Sequence, residues 1–142
     1  MICLDTTFLI DFLKERIIIT EEINNSLKNT AAITPFSIFE LYHGIYRLKR
    51  KEPDFDFDKR EKEILNFIKI FQIINYNDKA AIKTAEVLDF LESEGKIIDL
   101  VDIMIASAAL VNDFKTIITR NESHFNKIPG ISVIGYEIRK RR

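Results

Sequence analysis

The first thirteen residues, Met1-Ile-Cys-Leu-Asp5-Thr-Thr-Phe-Leu-Ile-Asp-Phe-Leu13, decide the fold. Residues 1–4 are a short apolar run of β type that stops at Asp5. Residues 6–13 then carry apolar side chains at helical spacing behind a capping position. Strand, turn and helix within so few residues open an α/β unit, and the pattern recurs downstream. Residues 30–34 read as a second strand, stopped by Pro35, and residues 36–51 have the caps and period of a helix. A polar, Pro-containing connection over 52–58 leads to an amphipathic helix over 59–69, and residues 71–75 are a third strand. Asn77 or Asp78 caps a helix that runs to Glu94 and is ended by Gly95. Leu100 or Val101 begins an Ala-rich helix that reaches Asn112. Residues 116–119 and 131–134 are further strands, separated by a loop or short helix over 120–126 and the turn at Pro129-Gly130. Strands alternating with helices predict a mostly parallel sheet covered on both faces, a three-layer α/β/α domain.

A chain of 142 residues, 46% hydrophobic and 30% charged, fills one core and is too short for two ordinary domains. One domain is expected over residues 1–138, followed by a basic tail over 139–142. The formal net charge of −1 conceals basic clusters at Arg47 to Lys51 and at Arg139 to Arg142, so global charge neither demands nor excludes nucleic acid. The single cysteine, Cys3, has no partner in the chain for a disulfide or a thiolate zinc site, which fits a reducing cytoplasm. No apolar run approaches the ~20 residues that span a bilayer, and Asp5 breaks the first run before it resembles a signal-peptide core. A soluble, cytoplasmic protein is expected.

Asp5, Glu40 and Asp102 each end or interrupt a strongly apolar segment, where a carboxylate is costly to desolvate without a cation or hydrogen bonds. In a parallel sheet, positions just past the strand ends share one rim with the first turns of the following helices. Asp5 and Thr119 fall at strand ends, and Glu40 and Asp102 lie in helices that begin at that rim. Hard oxygen ligands with no His or Cys pair favour Mg²⁺ or Mn²⁺ over Zn²⁺. Such an ion makes a bound water acidic enough to attack a phosphodiester. His43, Arg47 and Lys51 follow Glu40 at spacings of 3, 7 and 11, roughly on one helix face, and would give the acidic centre a basic, sequence-blind border for the flanking phosphates of a nucleic acid. Plainer roles compete at each position. Asp5 and Asp99 also read as helix caps, Asp102 as a first-turn acid favoured by the helix dipole, and Arg47 to Lys51 as a solvated helix end. Gly44, inside a helix at a cost of about 1 kcal/mol relative to Ala, predicts close approach by another element. The remaining phenylalanines read as core.

Four stretches, in order along nearly the whole chain, resemble the PIN-domain ribonucleases and, within them, the VapC-type toxins of prokaryotic toxin–antitoxin pairs. They are Leu4-Asp5-Thr6-Thr7, Glu40-Leu-Tyr-His-Gly44, Asp102-Ile-Met-Ile-Ala-Ser-Ala-Ala-Leu110, and Thr119-Arg-Asn-Glu-Ser-His-Phe125 with Pro129-Gly-Ile-Ser-Val133 behind it. Each alone is weak, and together they are specific. The resemblance implies a PIN fold and a Mg²⁺- or Mn²⁺-dependent endoribonuclease. It also implies a homodimer, and a small antitoxin whose C-terminal segment lies across the active site. The family's metal-binding acids carry over onto Asp5, Glu40 and Asp102. At its fourth acidic position this chain offers Asn121, Glu122 and His124, which puts a second metal ion in question; Asn121 would act through a water and His124 at the scissile phosphate, with Arg120 as a further RNA contact. Thr7 and Thr119 would orient carboxylates or waters, and Asp99 would assist from one turn before Asp102. Cleavage should leave a 5′-phosphate and a 3′-hydroxyl. Two rivals remain: a PIN-like domain that binds RNA or a partner without cutting, and a haloacid-dehalogenase-type phosphatase phosphorylated on Asp5. The second normally wants an acid where this chain has Thr7.

Overall fold

The structure, a computed structural model, describes residues 1–28 and 30–140. Strands β1 (Ile2–Leu4), β2 (Ala31–Ile33), β3 (Gln72–Ile73), β4 (Thr116–Ile118) and β5 (Ser132–Ile134) pair entirely in parallel, in the order β3-β2-β1-β4-β5. The helices are α1 (Thr6–Leu13), α2 (Glu21–Leu27), α3 (Pro35–Lys51), α4 (Phe57–Ile68), α5 (Asp78–Ser93), α6 (Leu100–Val111) and α7 (Glu122–Phe125).

Because side chains alternate along a strand, the sheet serves two separate cores. Cys3, Ala32 and Ile117 point to one face, where Val87 and Leu91 of α5, Ile105 and Ala109 of α6 and Phe125 of α7 cover them. Leu4, Ile33 and Ile118 point to the other, against Phe8 and Leu9 of α1, Ile23 of α2, Leu41 of α3 and Ile64 and Phe67 of α4. This is the expected α/β/α sandwich. Helix α6 is buried from Asp102 through Ala109 except at Met104, as a helix apolar on nearly all sides must be, and its alanines let it lie close to its neighbours. From β1 the chain steps outward to β2 and β3, then returns to place β4 on the other side of β1. The reversal leaves a crevice beyond the carboxyl ends of β1 and β4, where open parallel sheets bind ligands.

Several local expectations change. The pattern of residues 14–29 predicts no element, yet α2 forms there, with the Thr20 hydroxyl accepting from the Ile23 N–H and Glu21 and Glu22 in its first turn. Phe39 is 58% exposed rather than core and stacks on His43, ring centroids 6.0 Å apart. Gly44 has open space where a Cβ would stand, so no close approach requires it. Cys3 is fully buried, and burial pushes its thiol well above the ordinary range, which leaves it inert. Near the C-terminus Ile138 bridges Ile17 in antiparallel fashion and the Arg139 N–H donates to the Arg16 carbonyl at 2.7 Å; Arg141 and Arg142 of the basic tail lie outside the described residues. Among the described residues no helix is long and apolar enough to cross a membrane.

Candidate active site

The crevice gathers one carboxylate from each of three elements. Asp5 stands between β1 and α1, only 2% exposed. It occupies the N-cap of α1, where the Thr6 and Thr7 amides act on its carboxyl but no side-chain capping hydrogen bond closes. Instead the hydroxyls of Thr119 and Thr7 both donate to its Oδ2, at 2.7 and 3.0 Å. Each hydroxyl has a single proton, and each accepts in turn from the backbone: Thr119 from the Asn121 N–H at 2.9 Å, Thr7 from the Arg120 N–H at 3.1 Å. Two polarised chains, amide to hydroxyl to carboxylate, therefore fix Asp5 from the loop that follows β4, and Oδ1 takes neither hydroxyl.

Glu40 lies one turn into α3, half-buried. Thr6 Oγ1 donates to its Oε1 at 2.7 Å, and since that spends the Thr6 proton, the Ser37 hydroxyl 2.8 Å away must donate to Thr6. Asp102, in the first turn of α6, pairs through Oδ2 with Nδ1 of His124 at 2.8 Å; when the carboxyl is ionised, the imidazole N–H is the donor.

All three carboxyls are held above the usual carboxylate range, and burial is the largest cause in each case. The Thr119 and Thr7 hydroxyls oppose the rise at Asp5, Thr6 opposes it at Glu40, and His124 at Asp102. The charge of Asp5 raises both Glu40 and Asp102, Asp102 raises Glu40, and Asp99 raises both. The carboxylates thus share one unfavourable field, which a divalent cation would relieve. Among the described residues no three His, Cys, Asp or Glu side chains form a ready-made ligating cluster. Each acid is instead engaged by its own hydroxyl or imidazole donor. The donor set, oxygen only apart from His124, fits a hard cation by its chemistry.

The other residues singled out from sequence divide. Asp99 is exposed and caps α6, accepting from the Val101 N–H at 2.8 Å, and reaches the acids only through its charge. Asn121 contributes its backbone to Thr119, and its side chain does not cap α7. Glu122 lies against Gly135, where its carboxylate fills the space of a Cβ. His43, Arg47 and Lys51 are exposed, and Lys51 lies about 16 Å along the helix from Glu40 at 1.5 Å per residue. They form a track leading away from the site, not part of it. Arg120 turns to Asp11, with Nη1 3.3 Å from Oδ2. Sequence reasoning missed Thr6 and Ser37, whose only signal was a hydroxyl one position after Asp5 and another three before Glu40.

Thr119 is fully buried and serves two partners. Thr119→Val keeps the shape and removes the donor to Asp5 and the acceptor for Asn121. It should cost about 1–3 kcal/mol of stability in urea unfolding, with a loss of activity well beyond that of any folding defect.

Comparison with known proteins places this architecture. The PIN domain family model matches residues 2–131. The chain is 30% identical over 103 residues to Ribonuclease VapC2 of Rickettsia felis, covering 72% of each protein. It is 26% identical over 128 residues to Ribonuclease VapC1 of Methanocaldococcus jannaschii, covering 89% of this chain and 80% of that one. Among solved structures it is similar to VapBC2 from Rickettsia felis bound to a DNA fragment from their promoter, with a TM-score of 0.78, 26% identity, and coverage of 96% of this chain and 100% of that one. DNA-bound VapBC from Salmonella typhimurium gives a TM-score of 0.76 at 26% identity over 94% and 96% of the two chains.

Proposed function

The chain belongs to the PIN domain family, and from that premise we propose that it is a Mg²⁺- or Mn²⁺-dependent endoribonuclease, the toxin of a VapBC-type toxin–antitoxin pair. The observation that carries this reading is the set of three carboxylates at the sheet's reversal point, all raised by burial, with the charge of Asp5 acting on both Glu40 and Asp102. Its ribonuclease relatives supply the reaction class. Membership of the family leaves the phosphatase alternative without support.

Asp5, Glu40 and Asp102 would hold the ion. When bound, a divalent ion neutralises the acidic cluster, polarises a phosphoryl oxygen and makes water a stronger acid. The chain's own residues do the positioning. Thr7 and Thr119 hold Asp5 to one orientation, Thr6 and Ser37 hold Glu40, and His124 fixes Asp102 while remaining partly open to solvent. Glu40 is half-buried, and burial holds its carboxyl above the ordinary value. The exposed track of His43, Arg47 and Lys51 would carry flanking RNA phosphates without reading bases. Beside Glu40 a cavity of about 140 Å³ has an apolar floor that includes Ile10, Leu41 and Ile45, with Lys14 and Arg60 as well as Glu40 at its edge. An apolar floor with charges of both signs suits an antitoxin segment with an apolar stripe, and the similar solved structures are VapBC complexes. Action as a homodimer in the cytoplasm completes the proposal.

Because the three acids do not converge on a common point among the described residues, a domain that binds RNA without cutting is the competing reading. Purified protein incubated with total cellular RNA in Mg²⁺, Mn²⁺ or EDTA separates the two. Discrete cuts that need metal are expected; intact RNA in both metals, with the protein folded, would favour the binding domain.

A further inference from the structure

Asp11 is a carboxylate that the site above does not use. It lies on α1, 1% exposed, four residues after Thr7 and so on the same helix face one turn on. Its Oδ2 accepts from the Tyr136 hydroxyl at 2.8 Å and pairs with Nη1 of Arg120 at 3.3 Å. The Tyr136 ring is fixed in turn, edge-on to Phe8 with centroids 5.4 Å apart. Arg120 therefore spans α1. Its backbone N–H is bound to Thr7, which holds Asp5, and its guanidinium is bound to Asp11. Resting on that nuclease reading, we propose that Asp11, locked by Tyr136, is a positioning residue that presents the Arg120 guanidinium on α1, one helical turn beyond Thr7, to take an RNA backbone phosphate.

Three features favour this over a purely structural ion pair. A buried carboxylate that needed only neutralising would be served best by a buried, bidentate arginine, whereas this contact is through one nitrogen and 45% of the Arg120 side chain is exposed. Guanidinium has five N–H donors in a rigid fork, so its exposed edge can meet phosphate while Nη1 stays on Asp11. Finally, a centre of three carboxylates repels a polyanion, and a cation already held on α1 by Asp11 offers a flanking phosphate a partner without the entropy loss of ordering a free side chain. The loop that orients Asp5 also carries the arginine, which ties substrate position to the acids.

The test uses the full chain with Arg120→Ala, Asp11→Asn, Tyr136→Phe and the pair Asp11→Asn/Arg120→Ala. KM and kcat are measured in Mn²⁺. Affinity for a labelled single-stranded RNA is measured in EDTA over a range of salt, with circular dichroism to confirm folding. Arg120→Ala should raise KM about tenfold, as for one charge-assisted hydrogen bond, with kcat little changed, and flatten the log–log salt slope by about 0.7, one phosphate on single-stranded nucleic acid. Asp11→Asn should raise KM in the same direction, and the double variant should be no worse than Arg120→Ala. Should Asp11→Asn not fold, Tyr136→Phe and its pair with Arg120→Ala supply the same comparison. A kcat loss with unchanged KM in Asp11→Asn, or additive effects in the pair, would make Asp11 structural and overturn the inference. Wild type that cuts RNA while Arg120→Ala keeps its KM and salt slope overturns the inference alone; wild type that does not cut overturns the nuclease reading and the inference with it.

Discussion

Asp102→Asn should lower the rate of RNA cleavage by at least about 10²- to 10³-fold, on the order of removing one preorganised charge-stabilising group, and leave the fold intact. Asn keeps the volume and a hydrogen-bonding oxygen for His124, which can still donate through Nδ1. The formal charge is lost at a position 8% exposed, in the first turn of a helix buried along most of its length. Since a charge is removed from a field that raises Glu40, the metal-free variant should be no less stable than wild type. A stable, inactive protein is the expected pair of results, read by initial rates on a labelled RNA and by thermal unfolding. Loss of activity together with loss of structure would instead assign Asp102 to the fold.

The second large effect is on stability. Divalent metal that binds only the folded chain stabilises it by about 2.7 kcal/mol at one hundred times its Kd, which for a domain of this size is on the order of 10 °C in Tm. Mn²⁺ should produce such a shift in wild type and little in Asp5→Asn. The same acids set the pH dependence. Their folded pKa values lie above those of the unfolded chain, so between the two the folded state holds protons that the unfolded chain has released. Their stabilising contribution is complete below the ordinary carboxylate range and is lost as pH rises through the raised folded values. Metal-free wild type should therefore gain stability from these groups as pH falls from neutral toward that range. Asp5→Asn should show a smaller gain, and saturating Mn²⁺ should flatten it further. A thermal-shift series over pH with and without metal measures all three.

The chemistry was legible in the sequence where burial and charge conflict. Asp5, Glu40 and Asp102 interrupt apolar segments, and the alternation of strands with helices brings those segments to one rim. What escaped notice depends on neighbours distant in sequence. Thr6 reads as an ordinary first-turn residue until Ser37 and Glu40 are seen across the crevice. Asp11 was visible as a charge three residues after Phe8 on the apolar face of α1, but its partners Arg120 and Tyr136 lie more than a hundred residues away. Arg120 itself read as a simple RNA contact. Helix α2 was hidden because Ile17-Ile18-Ile19 carries no helical period, and the polar stretch that follows buries only Ile23. Gly44 gave a misleading signal, since a helix tolerates a glycine that no neighbour approaches.

The most direct test of the account is the chemistry of the ends that the protein leaves on RNA. If Asp5, Glu40 and Asp102 support metal-assisted attack by water, every cut made in Mn²⁺ carries a ligatable 5′-phosphate and a 3′-hydroxyl, and EDTA abolishes the cuts. Cuts that persist in EDTA and carry a 5′-hydroxyl opposite a cyclic phosphate would mean that the RNA's own 2′-hydroxyl is the nucleophile, and would contradict it.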